Sequence, residues 1–137
     1  MNEFDSFIRG FIAGEGSFCI SKLKLNNNVI RFVPEFAIGL LLDDEEILLR
    51  LKEYMGIGKI IYGKSRPVVF YKVAGLKECI SIMNYLEDTE WYGTQKGVSF
   101  KKWCIALMLM KHKYHLTNED EFIVLIHDIN KKKYNCR

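Results

Sequence analysis

Nothing in this chain points to secretion, a membrane or a zinc centre. Its 137 residues include four cysteines, Cys19, Cys79, Cys104 and Cys136. None forms a C-x-x-C pair, and no histidine stands at zinc-ligand spacing from one. That excludes the zinc-ribbon and dithiol motifs. Cys19, Cys79 and Cys104 sit inside apolar runs, which suits buried reduced thiols. The N-terminus carries Glu3 and Asp5 where a secretory signal would have a basic stretch before an apolar one. No apolar run approaches the length of a bilayer span. An intracellular protein is expected, in the cytoplasm or nucleoid of a prokaryote or in an organelle, with no membrane partner. Internal repeats and linker-like composition shifts are missing too, so one domain over 1–137 is expected. Charge of one sign is also scarce. Twenty Lys and Arg against 17 Asp and Glu leave a net +3, too little to make a nucleic-acid binder by itself. Where the charge sits has to decide.

What is present is enough to fold: 49% of residues are hydrophobic and 27% charged. A first helix is expected from about Asp5 to Gly14, capped by Asp5 or Ser6, with Phe7, Ile8, Phe11 and Ile12 at helical spacing. Gly14-Glu15-Gly16 should break it. A strand from Ser17 to Leu25, an Asn26-Asn27-Asn28 turn and a strand from about Val29 to Leu42 follow. In the second strand Phe32, Phe36 and Ile38 share one parity and Arg31 and Glu35 the other, so one face is buried. Pro34 donates no ladder hydrogen bond and belongs at an edge or a bulge. Acids from Asp43 to Glu46 open the next helix, and Gly56 stops it. A second hairpin uses Lys59–Tyr62 and Val68–Ala74. Helices follow from about Lys77 to Leu86 and Val98 to Lys113. A last helix is capped by Thr117 and ends at Lys131-Lys132-Lys133. This is an α+β order, with helices on one face of an antiparallel sheet and the other face bare and polar.

The hairpins and their loops carry Lys22, Lys24, Arg31, Lys59, Lys64, Arg66 and Lys72, against Glu35 alone. A positive, twisted antiparallel sheet fits a DNA major groove, where alternate side chains such as Ser17, Cys19 and Ser21 reach bases and phosphates. Exposed-strand lysines also serve solubility and edge protection. Lys22 and Lys24 share parity with Phe18 and Ile20, so they reach the bare face only if the strand bends or overshoots the core.

The run Phe7-Ile8-Arg9-Gly10-Phe11-Ile12-Ala13-Gly14-Glu15-Gly16-Ser17-Phe18 resembles the LAGLIDADG motif in its G-E-G-S-F form. The resemblance continues through Pro34-Glu35-Phe36-Ala37-Ile38, Leu42-Asp43-Asp44, Gly56-Ile57-Gly58-Lys59-Ile60 and Tyr71-Lys72-Val73. It then takes in Gly93-Thr94-Gln95-Lys96, the Phe100/Trp103 helix and His115-Leu116-Thr117, covering about residues 5 to 120. It implies the αββαββα saddle of the LAGLIDADG homing endonucleases. Gly10 and Gly14, with Ala13 beside them, make a smooth helix face that a second helix can approach closely. One motif per chain then requires a homodimer, its interface including Phe7, Gly10, Phe11, Ala13 and Gly14. Two Glu15 carboxylates would meet beside DNA phosphates, a conflict that a divalent cation, Mg²⁺ by expectation, resolves. The resemblance implies the Gly14 carbonyl as a second ligand and Lys96 as a basic residue near the scissile phosphate. Two positions depart from the family. Ala13 stands where many members carry Asp, and Leu40 to Leu42 where some carry a Gln near the catalytic water. The expected function is site-specific cleavage of double-stranded DNA, with an RNA-binding intron maturase or a non-cutting DNA-binding regulator as alternatives. His112, His115 and His127 do not form a metal set; His115 is read as a helix-junction residue.

Overall fold

The computed structural model describes residues 2–131. Helix α1 (Glu3–Glu15) leads into strands β1 (Ser17–Lys24) and β2 (Ile30–Leu41), then a 3-10 turn (Leu42–Asp44) and α2 (Glu45–Met55). Strands β3 (Lys59–Tyr62) and β4 (Val68–Ala74) precede α3 (Leu76–Leu86), α4 (Gln95–Lys111), α5 (Tyr114–Thr117) and α6 (Glu119–Asn130). The sheet is antiparallel in the order β1-β2-β4-β3. The expected element order and α+β class are thus present. No helix among the described residues is long and apolar enough to cross a membrane.

Period-2 burial sets which side of the sheet the helices cover. Phe18, Ile20, Phe32, Phe36, Ile38, Val69, Tyr71 and Val73 face the helices and are buried. Trp103 of α4 packs against Phe18 at 5.0 Å between ring centroids, and its indole N–H donates to the Cys19 carbonyl at 3.0 Å. The edge of β1 is closed from the side by α6: the Asn130 carboxamide accepts from Ile20 N–H at 3.0 Å and donates to Ile20 C=O at 2.9 Å. That satisfies the outward backbone groups of the edge strand at Ile20.

Several local expectations are corrected. Asn2, not Asp5 or Ser6, caps α1 by accepting from the Asp5 amide. The Asp5 side chain turns inward instead, to Tyr54, Tyr85 and Arg9. Gly14 and Glu15 do not break the helix, which runs on to Glu15. The stop is Gly16, whose backbone is extended; a Cβ there would lie 2.7 Å from the Ile12 carbonyl and 3.1 Å from the Phe36 ring. Close packing, not a left-handed turn, is what requires glycine. Pro34 lies in an interior strand and at no bulge, because the β1–β2 register is unbroken. It is tolerated because pairing with β4 begins only at Glu35, while the Pro34 carbonyl accepts from Gly75 N–H at 3.0 Å. Asn118, not Thr117, holds the position before α6; the Thr117 hydroxyl bonds back to the Tyr114 carbonyl. Asn28 takes φ +65 in the β1–β2 turn, as an asparagine readily does. Lys132, Lys133 and Cys136 lie outside the described residues.

Candidate active site

Glu15 is the last residue of α1, and its side chain is exposed. It lines a groove between α1 and the β2–α2 junction together with Phe7, Phe11, Leu40, Asp43 and Asp44. The sequence places Asp43 and Asp44 among the acids that open α2 and in the segment resembling the family, without a site role. Their place beside Glu15 depends on the path of β2, which residue types alone do not reveal.

The end of α1 is electronegative for a second reason. Its last turn contains no basic side chain. The Gly16 amide bonds back to Ile12 C=O at 2.8 Å, so the carbonyls that follow point out of the helix without intrahelical partners. Gly14 is exposed there. Lys96, at the start of α4, donates its ammonium to the Gly16 carbonyl. Thr94 fixes the start of that helix by accepting from Gly97 N–H at 3.2 Å. A carboxylate, helix-end carbonyls and a lysine thus meet where α1 passes into the sheet.

The donors suit a hard divalent cation. They are all oxygen, and they do not close into a cage: among the described residues no cluster of three or more His, Cys, Asp or Glu forms a metal site. Gly10 and Gly14 leave the outward face of α1 smooth: a Cβ on either would meet nothing within 4 Å. Phe7 stands beside them, 55% exposed and stacked on Phe11 at 5.7 Å. Ala13 and Phe11 are half-buried.

The bare face of the sheet is less uniformly basic and polar than expected. The register puts Ser17, Cys19, Ser21, Arg31, Glu35, Lys59 and Lys72 on it. It also puts Leu23, Val33, Ala37, Leu41, Phe70 and Ile61 there. Phe70 lies across Gly39, where a Cβ would come within 2.6 Å of its ring. Lys22 and Lys24 are opposite Phe32 and Ile30, on the helix-side parity. They are exposed because the hairpin overshoots the helices, and no bulge turns them round. Lys64 and Arg66 are exposed in the β3–β4 loop.

Charge on this face is organised around two strand neighbours. Lys59 and Lys72 are directly opposed on β3 and β4, an unfavourable like-charge pair unless an anion sits between them. Glu35 offsets part of it, with 3.9 Å from its carboxylate to Lys72 Nζ. The same carboxylate accepts from the Ser21 hydroxyl at 3.3 Å and from the Cys19 thiol at 3.9 Å. Burial, then the charge of Glu35, pushes the Cys19 thiol up to about 11. It stays a neutral thiol, not a nucleophile. His115 is not a ligand candidate. It packs edge-on to Phe32 at 5.9 Å, and its Nδ1 has no hydrogen-bond partner among the described residues. Burial lowers its pKa.

Comparisons with known proteins identify the family and the fold. A family model described as LAGLIDADG endonuclease matches residues 8–107. An archaeal intron-encoded homing endonuclease, I-Vdi141I, solved in complex with DNA, is 25% identical with a TM-score of 0.82, over 97% of this chain and 87% of that one. The homing endonuclease I-TnaI shares the fold at 23% identity and TM-score 0.79, over 95% of this chain and 87% of its own. I-SmaMI, bound to an uncleaved DNA target with calcium ions present, is 25% identical with a TM-score of 0.83. There the match takes in 93% of this chain but 45% of I-SmaMI. A search of curated protein sequences returned no match. With the family model spanning most of its length and the four-stranded antiparallel sheet matching solved homing endonucleases, the chain belongs to the LAGLIDADG endonuclease family and is a DNA endonuclease.

Proposed function

We propose that two copies of this chain pair along α1 and cut both strands of a specific DNA duplex, one strand per Glu15. The observation that carries this reading is the end of α1. A carboxylate and helix-end carbonyls without intrahelical partners project beside a helix face on which two glycines leave open space. A match of 93% of this chain to 45% of I-SmaMI leaves room for a second copy.

Glu15 and the Gly14 carbonyl would hold the divalent cation, proposed to be Mg²⁺. Such an ion lowers the pKa of bound water and stabilises the leaving oxygen. Lys96 is held at the same helix end by the Gly16 carbonyl. Its ammonium offsets negative charge as the phosphate becomes pentavalent. Lys59 and Lys72 receive backbone phosphates. The apolar side chains on the same face suit thymine methyl groups and exclude water from the groove. The setting is the mobility of an intron or intein, in a prokaryote or an organelle. Ala13 supplies no carboxylate, which leaves Glu15 as the acid of this motif.

The test is cleavage of duplex DNA spanning the gene's insertion site, with Mg²⁺ and then with EDTA. The expected result is a metal-dependent double-strand break that Glu15→Gln abolishes while DNA binding persists. Tight RNA binding without any DNA cutting would replace this reading with the maturase one. DNA binding without cutting would make the chain a regulator.

A further inference from the structure

The loop before Lys96 contains a residue that the architecture around it does not require. Trp91–Thr94 is a tight turn closed by Thr94 N–H to Trp91 C=O at 3.1 Å. Its two central residues, Tyr92 and Gly93, have φ of +52 and +71, the pattern of a type I′ turn. Asn, Asp or Gly is the ordinary first central residue of such a turn. A tyrosine there is strained, and strain of this sort gathers at functional sites. At Asn28 the same chain uses asparagine for the same backbone region.

The strain gains no packing. Tyr92 is 86% exposed. The residue that holds the turn is Trp91, 8% exposed and 5.1 Å from the Phe100 ring. Gly97 lets it in: a Cβ there would fall 2.5 Å from the Trp91 Cβ. Arg9 fastens the start of the loop to α1 through Asp88 at 2.8 Å and Thr89 at 2.9 Å. Lys96 fastens its end to Gly16. The loop is therefore pinned at both ends to the helix that carries Glu15, and its apex presents an unpacked aromatic ring. Of the nearby acids, one is neutralised and one is held in place. Asp88 is paired with Arg9, and Glu90 accepts the Tyr92 amide at 3.1 Å.

We infer that Tyr92 is a DNA-positioning residue, its ring resting on the sugar-phosphate backbone beside the cut and its hydroxyl donating to a phosphate. The inference rests on the endonuclease reading above. Tyrosine fits the task because it offers an apolar ring face and a phenol donor at its tip. The rigid turn fixes the ring before DNA arrives, so little ordering is needed on binding.

The experiment uses Tyr92→Asn, with Tyr92→Phe beside it, in the full chain. Thermal midpoint, oligomeric state and affinity for uncut duplex DNA are measured with Ca²⁺ present, and cleavage rate with Mg²⁺. Relief of the left-handed strain should raise the midpoint of Tyr92→Asn by about 3 °C, while affinity and cleavage at limiting DNA fall about tenfold. Tyr92→Phe should keep the wild-type midpoint and lose affinity a few-fold. A lower midpoint for Tyr92→Asn would mean the ring is structural and overturn the inference. So would affinity within twofold of wild type, or loss of affinity that tracks dissociation of the dimer. Cutting by the wild-type chain reports on the endonuclease reading and affinity for uncut duplex on Tyr92, so the two fail separately.

Discussion

The Asp5 carboxylate is the strongest internal clamp on the helix that carries Glu15, and Asp5→Asn tests it. The residue is 8% exposed. Its oxygens accept from Tyr85 at 2.5 Å, Tyr54 at 2.7 Å and Arg9 at 2.9 Å, tying α1 to α3 and α2. Those hydrogen bonds, the Tyr85 bond foremost, hold its pKa at about 2 against an ordinary 3.8. A depression of that size corresponds to about 2 kcal/mol of stability for the ionised form. Asparagine keeps the shape and one acceptor but loses the charge, so the loss at pH 7 should also be about 2 kcal/mol. The sign follows from the depressed value. The contribution is complete above the unfolded-state pKa near 3.8 and vanishes as pH falls through about 2. Urea denaturation of both proteins from pH 7 to pH 2 reads it directly. Wild type should lead by about 2 kcal/mol down to about pH 4, and the gap should then close. A gap below about 0.5 kcal/mol at pH 7, or one that does not close in acid, would refute the clamp.

Other outcomes follow from the same structure. Gly10→Leu should split the dimer, since the open space over Gly10 would be filled; sedimentation that still shows a dimer would remove the helix contact. His115, half-buried with its pKa lowered by desolvation, should cost stability as pH falls below about 6.5, because the unfolded chain takes up the proton first. His115→Leu should remove that slope, and an unchanged profile would count against the packing between Phe32 and Phe122. Lys59→Ala and Lys72→Ala should each lower the slope of log affinity against log salt by about one, and slopes equal to wild type would take the phosphates off these strands.

The motif, the saddle and the parity of β2 were legible because each is local: a helix period, an alternation, a pair of glycines. The misplacement of Lys22 and Lys24 was legible too, since both share the parity of Phe18 and Ile20 and the register merely enforces it. Asp5 was misread as a cap because acids near a helix start usually are caps, and its partners Tyr54 and Tyr85 lie 49 and 80 residues away. Glycine at positions 14 and 16 suggested a break. Yet the helix runs through Gly14 and ends at an extended Gly16, where the Ile12 carbonyl and the Phe36 ring of β2 leave no room for a Cβ. The apolar share of the bare sheet face was hidden for a similar reason. Phe70 looks like a core residue until its register partner Gly39 shows that it lies on the outside.

The most direct measurement of the central claim uses mixed dimers. One tagged wild-type copy is paired with one Glu15→Gln copy and given supercoiled plasmid carrying the target site, with Mg²⁺. If each carboxylate serves one strand, the mixed dimer nicks and yields open circles while the wild-type dimer linearises the plasmid. Linear product from the mixed dimer at the wild-type rate would contradict the account.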